Sequence, residues 1–395
     1  MLDIWPALPI VIRYYGSPVS GVDKIFAALE HSNRLHSITL CGLDPSSELE
    51  KVVAMMQVSF PVLTDLRLEL ASNGDNINET PLVVLDSFLG GSVPSCLRKL
   101  TLDRIPFPGL PKLLLSATYL RSLQLRRIPP AYISPETMAT CLSVLTGLKS
   151  FTLRLELPQT HSDPESRHPP PPTCTVFPSL TYLHFQGVSK YAEDLLSRIN
   201  RPLLDYVHIA LPNQPIFDTP HLFQFIARVP KIQSPNEARI TFDCYSVDIT
   251  RPSLARERHR EGLRLSILCE SLVDQLSCLP QVCSRSLPAI VAVEHLYICM
   301  RFPFPRYRRR NNTEVNQWLA ILRLFTSVKS LYLSAKLTPR IAAALRKTVE
   351  VTSVLPVLHN IVPPLWTRPQ RYWAVRFRTA ALKPAYCHIP VGHGR

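Results

Sequence analysis

One spacing of apolar residues, apolar-x-x-apolar-x-apolar, recurs along this chain. It starts at Leu35 (LHSITL), Leu63 (LTDLRL), Leu97 (LRKLTL), Leu120 (LRSLQL), Leu148 (LKSFTL), Leu180 (LTYLHF), Leu204 (LDYVHI), Val293 (VEHLYI) and Val328 (VKSLYL). Side chains alternate along an extended strand, so in the Leu120 copy Leu123 and Leu125 share one face while Ser122, Gln124 and Arg126 share the other. Most starts lie about 23 to 35 residues apart, which leaves room for one helix between strands. The gap between Leu204 and Val293 is wider. It accommodates two degenerate repeats, with strands at 238–242 and 263–268.

The intervening segments carry helical stripes. Residues 21–31 place Val22, Ile25, Phe26 and Leu29 on one face, and residues 46–57 place Leu49, Val52, Val53 and Met56 there, with Ser47 and Glu50 spaced as a capping box. Further helices are predicted at 81–88, 110–117, 135–145, 191–199, 220–228, 270–279, 314–326 and 339–349, each beginning near Ser, Thr or Pro. One strand and one helix cannot close a core, so such units must stack. The predicted fold is an α/β solenoid of about ten to eleven leucine-rich repeats, a curved parallel sheet with outer helices.

Three departures set the boundaries. Residues 1–20 read as a lead-in segment with a strand from Ile10 to Tyr15, 21–350 as the solenoid, and 351–395 as a basic, irregular tail in which Pro363 removes a ladder donor. HSDPESRHPPPPT at 161–173 is too polar and proline-rich to pack and reads as an exposed insertion. Residues 251–264, with five arginines and two glutamates, read as a solvated loop.

Charge changes the picture less than the net +14 suggests. Residues 301–395 hold 17 Lys and Arg against Glu314 and Glu350, so the first 300 residues are essentially neutral. The excess sits in the cluster Arg301, Arg306, Arg308, Arg309 and Arg310 and in the aromatic-arginine tail 368–383. That cluster reads either as a solvated loop or as a targeting or nucleic-acid contact. Ten cysteines are scattered without a paired framework, Cys41, Cys96, Cys141 and Cys244 among them, as expected for buried thiols in a reducing compartment. Asp3 stands where a secretory leader carries basic residues, and no apolar run is long enough to span a membrane. These features place the chain inside the cell, in cytoplasm or nucleus.

Enzyme signatures are missing. There is no phosphate-cradling glycine loop, G-x-S-x-G elbow or H-E-x-x-H. Cys269, Cys278, Cys283 and Cys387-His388 lack the close pairing of a zinc site, so no metal and no cofactor are expected. His184 and His208 have no Ser or Asp beside them in sequence to orient them for catalysis. The polar strand face is the candidate site instead. It is small and charged in the first half, where Arg126 and Arg154 lie, and aromatic in the second, with Tyr182, His184, Tyr206, His208, His295, Tyr297 and Tyr332. Tyrosine with arginine is the composition of binding hot spots, although aromatic residues also favour strands for their own sake.

WPALPIVIR (Trp5–Arg13), IPFPGLPKLLLSAT (Ile105–Thr118) and YISPETMATCLSVLTGLKS (Tyr132–Ser150) resemble segments of fungal F-box leucine-rich repeat proteins, a likeness covering most of 1–350. The resemblance implies that the repeats select a protein substrate on their concave face for a cullin-type ubiquitin ligase. In that family an F-box ahead of the repeats docks on the ligase adaptor. No such motif is read ahead of Trp5, so the resemblance extends to substrate selection and leaves adaptor docking open. Two other readings stand beside it: a basic nucleic-acid or membrane-surface binder acting through 301–383, and a truncated copy that does not dock. Eight residues after the first Leu, where many leucine-rich repeats place Asn or Cys, this chain has Leu43, Ile105, Ile128 and Val188. Its turns must therefore be satisfied by other groups.

Overall fold

The computed structural model describes residues 8–16, 22–43, 48–71, 87–91, 94–105, 107–156, 175–176, 178–200, 203–214, 217, 219–229, 236–252, 262–286, 292–302, 312–347 and 353–362. The insertion at 161–173, the tail beyond 362, Ser47 and most of the 81–88 helix lie outside them.

In chain order the strands are β1 Ile10–Tyr15, β2 Leu35–Leu43, β3 Asp65–Leu70, β4 Lys99–Asp103, β5 Ser122–Ile128, β6 Ser150–Leu155, β7 Thr175–Val176, β8 Tyr182–Gln186, β9 Ile199–Asn200, β10 Tyr206–Pro212, β11 Glu237–Phe242, β12 Ser246–Pro252, β13 Gly262–Leu268, β14 His295–Met300, β15 Ser330–Leu333 and β16 Asn360–Val362. The helices are α1 Val22–Leu29, α2 Glu48–Met55, α3 Leu110–Ser116, α4 Pro135–Val144, α5 Ser189–Ser197, α6 Pro220–Ala227, α7 Leu272–Ser286, α8 Asn312–Leu322 and α9 Thr338–Arg346. All nine hexamers found in the sequence contribute strands to one fourteen-stranded sheet, in the order β1-β2-β3-β4-β5-β6-β8-β10-β13-β12-β11-β14-β15-β16. It is an open leucine-rich repeat solenoid, parallel throughout except at β12.

Its core is two rows of side chains on the helix-facing side. Ile38, Leu66, Leu100, Leu123, Phe151, Leu183 and Val207 are successive register partners, as are Leu40, Leu68, Leu102, Leu125, Leu153, Phe185 and Ile209. None is more than 1% exposed, so every repeat delivers its second and third apolar residues to one continuous interior. At roughly 1.5 to 3 kcal/mol per buried side chain, these rows are the main stabilising contribution.

The helices close the other side. Ser134 caps α4, its Oγ accepting the Thr137 N–H at 3.1 Å, with Pro135 in the first turn. A buried carboxylate does the same between repeats: Glu193 on α5 accepts the N–H groups of His221 and Leu222 at the start of α6, both at 2.8 Å. The negative charge also suits the positive end of that helix.

In place of a polar ladder, backbone groups at the strand ends satisfy one another. Ala71 N donates to Leu43 O, Arg104 N to Arg126 O and Glu156 N to Ile128 O. Leu43, Ile105 and Ile128 are accordingly buried. The residue just before each, Gly42, Arg104 and Arg127, has φ of +76°, +61° and +52°, a left-handed step that turns the next apolar residue inward.

The stretch between β10 and β14 departs from the expected pair of degenerate repeats. Both anticipated strands exist, as β11 and β13, but their spatial order is reversed, and β12 lies antiparallel between them. The cause is a short connection. Only Asp243 to Tyr245 separate β11 from β12, with Asp243 N bonded to Ser246 O at 2.8 Å, and a parallel return needs a crossover of a dozen or more residues. The chain therefore turns back as a hairpin, and β13 fills the place beside β10. Arg251 and Arg264 are consequently strand residues. Arg251 is buried, which corrects the solvated loop read for 251–264; residues 253–261 lie outside the described set.

Candidate interaction surface

The face opposite the core carries three rows of side chains, aligned by the same register. One runs Ser37, Asp65, Lys99, Ser122, Ser150, Tyr182, Tyr206; the next Thr39, Arg67, Thr101, Gln124, Thr152, His184, His208, Arg264; the third Cys41, Glu69, Asp103, Arg126, Arg154, Gln186, Ala210, Ser266. Parallel strands about 4.8 Å apart make each residue a lateral neighbour of the next in its row.

From β2 to β6 the rows are knit by charge. Lys99 Nζ lies 3.0 Å from Asp65 and Arg67 donates to Glu69 at 2.8 Å. Arg127 forks onto both oxygens of the buried Asp103, each at 2.6 Å. Beside them Arg126 and Arg154 are register partners that donate to side-chain amides, Arg126 to Gln124 Oε1 and Arg154 to Gln186 Oε1, both at 2.7 Å. Burial, then the charges of Arg126 and Arg127, hold the Arg154 guanidinium below its usual value.

From β8 onward rings take over. Tyr182 stacks on Tyr206 at 5.1 Å, His184 on His208 at 4.3 Å, and Tyr206 meets His208 edge-on. Burial, then the charges of Arg154 and Arg126, hold the His184 imidazole down to about 3. Burial, with His184 and Arg264 nearby, holds His208 well below its usual value, so both rings are neutral at pH 7. Burial pushes the Tyr206 phenol up to about 12.

His208 does have the neighbours that its sequence surroundings lack. Its Nε2 lies 3.0 Å from Ser266 Oγ, and that hydroxyl donates to Asp248 Oδ1 at 2.6 Å. The order is wrong for a nucleophile. A reactive serine gives its proton to the imidazole, which the carboxylate orients; here the carboxylate takes the serine proton directly and His208 donates to Oγ. Ser266 is 3% exposed, so a substrate has no approach to it. Asp248 also accepts Arg264 Nη2 at 2.7 Å.

A second aromatic group lies further along. Tyr297 and Tyr332 stack at 4.2 Å, His295 is tilted against Tyr332 at 6.3 Å, and the Arg239 guanidinium sits 5.3 Å above the Tyr297 ring. Strands β13, β12 and β11 separate it from the first, so β10 and β14 stand roughly 19 Å apart at the usual strand spacing. The predicted aromatic residues thus form two groups.

Of the basic cluster, Arg301 is exposed and reaches Asp243 at 3.4 Å, while Arg306, Arg308, Arg309 and Arg310 lie outside the described residues. Sequence reasoning missed Arg127, Arg239, Asp248, Arg264 and Ser266. A signal for the last three existed in the period-2 alternation of SVDITRP and GLRLSIL. Among the described cysteines all are free; Cys41 and Cys141 are buried as expected, but Cys96 is exposed and Cys244 half-buried. Among the described residues no cluster of His, Cys, Asp and Glu is placed to hold a metal ion, and no helix is long and apolar enough to cross a membrane.

These rows define a class, the leucine-rich repeat solenoid with a polar strand face. No protein-family model matches the chain, and none of the curated proteins does. Among solved structures, the leucine-rich repeat-containing protein LegL7 from Legionella pneumophila aligns over 90% of both chains at 12% identity, with a TM-score of 0.31. The repeat architecture stands on the strand register and the buried rows described above.

Proposed function

We propose that this chain is a non-catalytic protein-interaction module working inside the cell, comparable to the substrate-recognition part of an F-box receptor of a cullin-type ubiquitin ligase. The observation that carries the interaction reading is the pair of ring stacks, Tyr182–Tyr206 and His184–His208, half-buried on an otherwise polar sheet face. Rigid rings with polar edges offer contact area at small entropic cost, which is what a protein interface uses for its anchors. Tyr297 and Tyr332 supply a second anchor point. The ligase part of the reading draws on the wording of Trp5–Arg13, Ile105–Thr118 and Tyr132–Ser150.

Affinity capture with the full chain as bait tests both parts. Tyr206→Ala and Tyr297→Ala are expected to weaken the captured partner by about 2 kcal/mol or more each, measured by titration of the purified partner. Unchanged binding to both variants, with thermal unfolding showing them folded, removes the strand face as the binding surface. Recovery of a cullin and its adaptor with wild-type chain supports the ligase role; recovery of the partner alone restricts the chain to recognition.

A further inference from the structure

Along the three rows from β2 to β13, each basic side chain but two has a carboxylate beside it among the described residues. Lys99 has Asp65, Arg67 has Glu69, Arg127 has Asp103 and Arg264 has Asp248. Arg126 and Arg154, half-buried in the same row on adjacent strands, pair with no carboxylate among the described residues. The nearest candidate, Asp103, has both oxygens on the Arg127 fork. Gln124 and Gln186 orient the two guanidinium groups without neutralising them, and the Arg126 Nε is buried with no hydrogen-bond partner. Like charges directly opposite one another destabilise a sheet. Among the described residues, no anion is bonded to this side-by-side pair.

We propose that Arg126 and Arg154 form a carboxylate-binding site for an acidic segment of a partner protein. Two guanidinium groups present forked donors that match carboxylate oxygens. The rings of His184 and Tyr182 lie on the next strand but one from Arg126 and the next from Arg154, so a residue flanking the acid meets an aromatic surface. A nucleic-acid strand fits less well. It carries a charge about every 3.4 Å, and along the rows it would run onto Asp103 and Glu69 on one side and Asp248 on the other. A short acidic stretch of polypeptide places its charge at one point. This inference rests on the strand face being the binding surface and names what that surface selects.

The test selects binders to the full chain from a display library of random short peptides, then measures the enriched peptides by fluorescence polarisation. The expected peptides carry Asp or Glu beside an aromatic or apolar residue. Arg126→Gln with Arg154→Gln should weaken them about tenfold or more, and the same loss should follow from changing the peptide acid to its amide, with no further loss on combining the two. Arg126→Lys with Arg154→Lys should recover part of the affinity. The glutamine variant relieves repulsion and should melt no lower than wild type, so lost binding will not reflect lost folding. Enriched peptides without acids, or acidic ones that ignore the glutamine changes yet weaken with Tyr206→Ala, overturn the carboxylate site and leave the strand face standing. Peptides that ignore both sets of changes, or no enrichment at all, overturn both. Tighter binding of oligothymidylate than of any peptide, lost with the same glutamine changes, overturns the assignment to protein.

Discussion

The two halves of the sheet bury the same kind of core and hold their outer faces in opposite ways. From β2 to β6 each strand follows its predecessor in sequence, and the face is a lattice of ion pairs around Arg126 and Arg154. From β8 to β15 the order is interrupted by an antiparallel strand, and the face is made of stacked rings around one buried Asp248–Arg264 pair. The buried rows tolerate little change because they must fill space between sheet and helices. The outer rows are free of that demand, so what a half can recognise is set separately from how it stacks.

The contrast can be broken most directly at its two aspartates, which have side-chain exposures of 3% and partners at 32% in both pairs. Asp103→Ala leaves Arg126, Arg127 and Arg154 together with only Glu69, 3.9 Å from Arg127 and already bonded to Arg67, as an acid in the row, and is expected to cost about 3 kcal/mol, part of which returns in high salt as the repulsion is screened. Asp248→Ala removes hydrogen bonds from Ser266 and Arg264, while Arg264 retains the Tyr206 phenol, and is expected to cost about 2 kcal/mol with little salt recovery. Denaturant titrations at two salt concentrations measure both. Equal costs with equal salt responses would mean that the two faces are held alike.

The same contrast explains what was legible in the residues. The hexamer from Leu120 and its eight equivalents located strands, because a buried apolar pair in alternation is a local signal, and Pro135 after Ser134 located a helix start for the same reason. Spacing along the chain carries no record of which strand lies beside which once the order is broken. The 263–268 strand was found, yet its place beside β10 was not, and so the links from Arg264 to Asp248, 16 residues away, and from His208 to Ser266, 58 residues away, stayed hidden. The hairpin itself was readable in retrospect, since three residues between Phe242 and Ser246 leave no room for a helix.

A smaller effect separates the halves by pH. None of the three outer rows of β2–β6 contains a histidine, whereas β8 and β10 carry His184 and His208 facing Arg154, Arg126 and Arg264. An ordinary histidine titrates near 6.5 in the unfolded chain, and His184 is held to about 3 in the folded one. Below pH 6.5 the unfolded state takes up a proton that the folded state refuses. Stability from this ring is thus intact above pH 6.5 and is lost progressively as pH falls toward 3, by about 2 kcal/mol at pH 5. His184→Phe keeps a ring in the stack and removes the proton. Its melting temperature should fall less between pH 7.5 and pH 5 than that of wild type; an equal fall would show that burial of this ring does not couple to protonation.

The smallest expected effect lies where each half turns its chain, seven residues after the first Leu of a repeat. Gly42 and Gly187 occupy equivalent positions and are glycine for different reasons. Gly42 has φ +76°, at the bulge between Cys41 and Leu43, and a Cβ there would lie 3.2 Å from the Gly16 Cα. Arg104 and Arg127 adopt the same left-handed step with side chains, so the conformation is tolerated at about 1 kcal/mol. Gly187 shows no left-handed φ; a Cβ there would meet the Phe185 ring at 2.9 Å and Leu155 Cδ1 at 3.1 Å. Alanine at either site is expected to cost about 1 kcal/mol, but the rescues should differ. Asparagine, which visits the left-handed region readily, should recover part of the loss at position 42 and none at 187. Leu155→Val, which removes the contact at 3.1 Å and gives the Phe185 ring room to shift, should recover part of the loss of Gly187→Ala and leave Gly42→Ala untouched. If asparagine restores both sites alike, the turn in the aromatic half is also governed by backbone conformation, and the two halves share one way of ending a strand.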